Sequence, residues 1–167
     1  MRESALQDVL QAALAALAAV LIYSLAGEAG PGLLVVLNAF SIVVLYFSVR
    51  RGEVFGAVLG TLCGLIQDAF SLGVFGVAGL TKTLLGFFAG YVARRVDVAA
   101  VFRNALFMLV LSYLELLLWL ALSALVRQEP LGLHRGLVLL QPVLTAALAS
   151  GLCAAERRLA ARRARAA

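Results

Sequence analysis

The run VFGAVLGTLCGLIQDAFSLGVFGVAGLTKTLLGFFAGYVARR, Val54–Arg95, decides the fold. Two apolar stretches, 54–70 and 74–93, are separated by Ser71-Leu72-Gly73 and closed by Arg94-Arg95. A hydrocarbon core of about 30 Å is crossed by roughly 17–25 helical residues, and each stretch meets that length. Neither alternates with period two, so strands are not supported. Gly56, Gly60 and Gly64 recur every four residues in the first stretch, and Gly86 and Gly90 repeat the spacing in the second. Asp68 and Lys82 are ionisable groups embedded in apolar sequence. The reading is a hairpin of two membrane helices.

The rest of the chain has the same character. Of its 167 residues 63% are apolar and only 14% are charged, against about a quarter charged in a soluble domain. A mean hydropathy of +1.02 excludes a disordered chain and a nucleic-acid-binding domain, and makes a water-soluble enzyme an unsuitable reading. Four further apolar runs flank the hairpin, at Val9–Ala26, Leu33–Val49, Ala105–Val126 and Gly136–Ala154. Breaks fall at residues 27–32, at Arg50-Arg51 and at Arg127-Gln128-Glu129-Pro130. Pro142 is expected to kink the last run. The first run is read as a retained span, not a cleaved signal, because it is long for a signal core and more spans follow. The expectation is an all-α, polytopic membrane domain over residues 1–155, a compact bundle of six transmembrane helices, with a basic tail over residues 156–167.

The net charge of +5 and pI near 9.9 belong to topology. With the amino terminus inside, eleven arginines lie on the inner side and only Arg127 and Arg135 outside. Basic residues concentrate on the cytoplasmic side of membrane proteins. The bias predicts both termini on the cytoplasmic side. The tail, Arg157 to Arg165, reads as a helical extension, either an anchor on anionic lipid or a docking site for a cytoplasmic partner.

Small residues let helix backbones approach in lipid. The stripes Gly56/Gly60/Gly64 and Gly86/Gly90, and the alanine faces Ala12/Ala16 and Ala15/Ala19 of the first span, therefore mark helix contacts. The spacing leaves open whether each contact is internal or a partner groove. Ionisable groups at membrane depth face a protein interior or a cavity. Counted at 1.5 Å per residue, Lys82 lies about 12 Å and Glu115 about 15 Å below the outer edge, so they are candidate partners in plane. Asp68 is a second candidate for Lys82 from above. Gln67, Asn38, Thr81 and Thr83 would complete a polar cluster. Three readings follow: a charge pair that fixes packing, a pocket for a lipid, peptide or solute, and a proton or ion relay.

Cys63 and Cys153 lack any metal spacing and read as packing residues. His134, in an outer loop, is assigned no role. No nucleophile–base pair, phosphate loop or zinc spacing appears, so no catalytic residue, metal or cofactor is expected.

The segment Gly64-Leu65-Ile66-Gln67-Asp68, followed by Gly73, Gly76 and a helix ending Gly90-Tyr91, resembles the rod-shape-determining MreD family. The size, six-span layout and basic carboxyl end agree. The resemblance implies a scaffold or regulator of cell-wall elongation, with MreC as membrane partner, in the neighbourhood of MreB and of RodA with its transpeptidase. It implies no catalytic residues. The alternative is the substrate-binding S component of an energy-coupling-factor vitamin transporter, a similar six-helix fold whose first helix uses an A-x-x-x-A face. In that reading Asp68, Lys82 and Glu115 line a ligand pocket.

Overall fold

The computed structural model describes residues 2–29, 37–71, 74–95, 101–127 and 137–166. Those residues form six α-helices and one short 3-10 turn, with no strand among them. The helices are α1 (Arg2–Ala29), α2 (Ala39–Arg51), α3 (Glu53–Phe70), α4 (Val77–Arg95), α5 (Val101–Arg127) and α6 (Leu140–Ala166). The 3-10 turn, Leu137–Leu139, leads directly into α6.

Three windows are long and apolar enough to cross a bilayer: Leu6–Glu28 in α1, Glu53–Phe70 in α3 and Arg103–Val126 in α5. The other three helices fall short for identifiable reasons. α2 has 13 residues, about 20 Å of helix, and carries Ser41 and Ser48. Its expected span began at Leu33, but residues 30–36 lie outside the described residues. α4 carries Lys82 and two threonines, and the second half of α6 is arginine-rich. Six α-helices are thus present among the described residues, whereas crossing by all six is not given by length and apolarity.

α2 lies at the centre. It packs against α1, α3, α4 and α6, and α5 closes the bundle between α4 and α6. Phe40, Val44 and Leu45 of α2 are fully buried, joined by Cys63, Ala89, Met108 and Ala149 from four other helices. α1 runs to Ala29, past the expected break at Gly27. The helix penalty of one glycine is modest, about 1 kcal/mol, and does not by itself end a helix. Pro142 corrects a second expectation. It stands in the first turn of α6, where a missing N–H leaves no helical hydrogen bond unmade, so it starts a helix and does not kink one.

α2 and α3 are joined by Gly52 alone. Its φ of +93° suits glycine and reverses the chain in one residue. A side chain there would also collide with the Arg94 guanidinium. Arg94 donates to the Arg51 carbonyl at 3.1 Å and to Glu53 Oε1 at 3.2 Å, tying the end of α4 to this turn. Arg51 pairs with Asp8 of α1, and Arg50 pairs with Glu156 of α6. Glu156 Oε2 also accepts from the Tyr46 hydroxyl at 2.8 Å. Partial burial lowers the basicity of Arg50, but Tyr46 and Glu156 outweigh it and hold the guanidinium above its ordinary pKa. These pairs bring α1, α2, α3, α4 and α6 to a common level at one end.

Candidate functional site

Two carboxylates organise the polar interior, each near the start of a helix. Asp68, at the end of α3, is 6% exposed and reaches across the hairpin turn to the first turn of α4. Its Oδ2 accepts from the backbone N–H of Gly76 at 2.9 Å and Gly79 at 3.0 Å, and its Oδ1 from Ala78 at 3.2 Å. The first N–H groups of a helix lack intrahelical acceptors, and a negative charge there is favoured. Gly76, with φ +97°, gives the turn a conformation in which its N–H meets the carboxylate. Asp68 is therefore a cap for α4 and does not pair with Lys82.

Lys82 takes the other candidate. Its Nζ donates to Glu115 Oε1 at 2.7 Å, with only 2% of the Lys82 side chain and 8% of the Glu115 side chain exposed. The same Oε1 accepts from the Ser41 hydroxyl at 2.6 Å. Ser41 is in the first turn of α2, and its N–H donates to Asn38 Oδ1 at 3.2 Å. Asn38, Ser41, Lys82 and Glu115 thus form one chain of contacts linking α2, α4 and α5. A lone charge would be very costly at this depth, and pairing with added hydrogen bonds relieves that cost.

The remaining expected members go elsewhere. Thr83 meets Thr61 of α3, hydroxyl to hydroxyl at 2.7 Å. Thr81 bonds back to the Ala78 carbonyl at 3.1 Å. Gln67 is half-buried, and its Oε1 has no partner among the described residues. Ser41 was not among the expected site residues. Its position three after Asn38 was the available signal, since an N-cap Asn accepts from the N–H three residues on and so places Ser41 in the first turn. His134 lies outside the described residues.

The glycine stripes face one another inside the molecule. A methyl group on Gly60 would strike the Lys82 carbonyl, one on Gly64 the Ala78 carbonyl, and one on Gly56 or Gly86 the other's backbone oxygen. One on Gly90 would strike Gly52 and Glu53. Backbone therefore touches backbone along α3 and α4, the contact that small residues allow in lipid.

α1 is held differently. Ala12 and Ala19 are buried, and α1 packs chiefly on α2 while scarcely touching α3. Between α1 and α3 runs a groove of about 440 Å³ lined only by apolar residues, among them Ala12, Ala13, Ala16, Val58 and Leu62. It opens sideways. Leu10, Leu14, Leu17, Leu21 and Leu25 of α1 point outward and are more than half exposed.

The paired charges satisfy one another, and no three metal-ligating side chains converge among the described residues. Fold and site together define a helical membrane protein built on polar pins, glycine contacts and an open apolar flank. The family model for the rod shape-determining protein MreD matches residues 7–140, and the chain belongs to that family. No curated protein and no solved structure matches it. The family assigns a role in rod shape determination.

Proposed function

We propose that the protein is a membrane scaffold of the cell-wall elongation machinery that binds MreC and so helps set where wall synthesis occurs. Membership of the MreD family over residues 7–140 carries this reading. In it all six helices cross the inner membrane with both termini in the cytoplasm. The arginine bias supports that threading, and Arg50, Arg51, Arg94 and Glu156 share one level as it requires.

The partner's membrane helix packs on the flank formed by α1 and α3. The glycine stripes of α3 and α4 are unavailable for it, because the two helices occupy them mutually. The groove with Ala12, Ala13 and Ala16 on one wall is a small-residue surface left open. MreB, RodA and its transpeptidase are reached through MreC or beside it. The vitamin-transporter alternative is weakened by the state of its supposed pocket. Asp68 is engaged by α4 amides, and Lys82 and Glu115 by each other.

Affinity purification from membranes tests the proposal. MreC is expected at a fixed ratio, and depletion is expected to turn rods round with MreC mislocalised. A sample carrying a bound vitamin at one-to-one stoichiometry, with MreC absent, contradicts it.

A further inference from the structure

The arginines divide sharply by what they touch. Arg50, Arg51 and Arg94 are ion-paired, Arg95 stacks on Tyr91 at 4.1 Å, and Arg103 and Arg157 are also engaged. Arg158, Arg162 and Arg163 are exposed and have no ion pair among the described residues. All three stand on the last part of α6, beyond residue 140 where the family match ends. Arg158 and Arg162 are four apart, the spacing of a single helical stripe, and Arg163 flanks it. Residues 157–167 hold no acid, and Glu156 already serves Arg50 and Tyr46.

An unneutralised stripe of this kind calls for anions from outside the chain. Lipid headgroups are a poor fit. Glu156 marks the level of the inner ion pairs, and α6 continues unbroken to Ala166. Arg162 and Arg163 lie six and seven residues further on, about 9–10 Å along the axis. That places Arg162 and Arg163 past a headgroup layer of roughly 5–7 Å per side. Nor can the segment lie flat in the interface. After Glu156 its one large apolar residue is Leu159, whereas an interfacial helix needs a whole apolar face.

We propose that the last turns of α6 are a rigid docking ridge for an acidic surface of a cytoplasmic protein, with Arg158, Arg162 and Arg163 pairing with its carboxylates. The inference rests on the cytoplasmic placement of the carboxyl terminus proposed above. Guanidinium groups suit carboxylates because they can meet both oxygens at once.

The test places benzoylphenylalanine at Ala161, beside the stripe, in the full chain in living cells. Ultraviolet light is expected to yield a protein adduct whose crosslinked segment carries Asp or Glu. The triple variant R158E/R162E/R163E is expected to lower its yield about tenfold, the sum of three exposed ion pairs. Reversing the mapped acids to Lys is expected to restore it. Adducts with phospholipid alone, no adduct, or an adduct indifferent to the triple variant would each overturn the ridge. So would labelling of Ala164→Cys by an impermeant reagent in intact cells. MreC co-purification is read in parallel. MreC retained without the adduct refutes the ridge alone, and the adduct retained without MreC refutes the scaffold reading alone.

Discussion

α4 and α1 are both flanked by small residues, yet they are held by opposite means. α4 meets α3 backbone to backbone at Gly60, Gly64 and Gly86, is capped by Asp68, and is pinned to α5 through Lys82. α1 rests on alanines, is fixed at its end by the Asp8–Arg51 pair, and leaves a groove against α3. Glycine admits a neighbouring backbone, while alanine leaves a shallow surface that a side chain from elsewhere can still occupy. The comparison separates a rigid interior from a flank suited to association.

The largest effect is expected where α4 is pinned. Glu115→Leu leaves the Lys82 ammonium buried without its partner and is expected to destabilise the bundle by about 3–5 kcal/mol. The double variant K82M/E115L is expected to regain most of that, since a well-packed apolar pair replaces the ion pair without a stranded charge. Denaturant titration of the purified protein measures both. If the single and double variants are equally unstable, the pair is not the pin.

Next comes the glycine contact. Gly60→Val forces a branched side chain against the Lys82 backbone and is expected to cost about 1–3 kcal/mol, as overpacking does. Equal cost from Ala13→Val, on the open wall of α1, would erase the distinction between the two helices. Asp68→Ala removes the acceptor of the Gly76, Ala78 and Gly79 amides at the start of α4 and is expected to cost about 1–2 kcal/mol. The smallest effect is expected in the groove. Ala16→Leu projects into unfilled space and should shift stability by no more than about 0.5 kcal/mol, while reducing MreC recovery. Stability and MreC recovery falling together would place α1 in the core and not on a partner flank.

Much of this was legible in the residues. The matched depths of Lys82 and Glu115 follow from counting along two helices, and the structure joins them. The glycine stripes were visible as spacing, but a four-residue repeat names no partner. Only the two helices laid together show that each stripe answers the other. The role of Asp68 was hidden because it depends on where the turn carries the amides of Gly76, Ala78 and Gly79, which are identical in kind in every sequence. The shortness of α2 was hidden too. Leu33 to Val49 is nearly uniformly apolar, and Asn38 as a helix start reads in one dimension as a polar residue inside a span.

The central proposal is that the α1–α3 flank holds MreC. Photo-crosslinking residues at Leu17 and Val58, on the two walls of the groove, compared with Leu114 and Leu117 on the exposed face of α5, test it most directly. MreC adducts at the groove positions and none on α5 are the predicted result. Adducts confined to α5, or MreC absent from every position in cells that keep their rod shape, would contradict it.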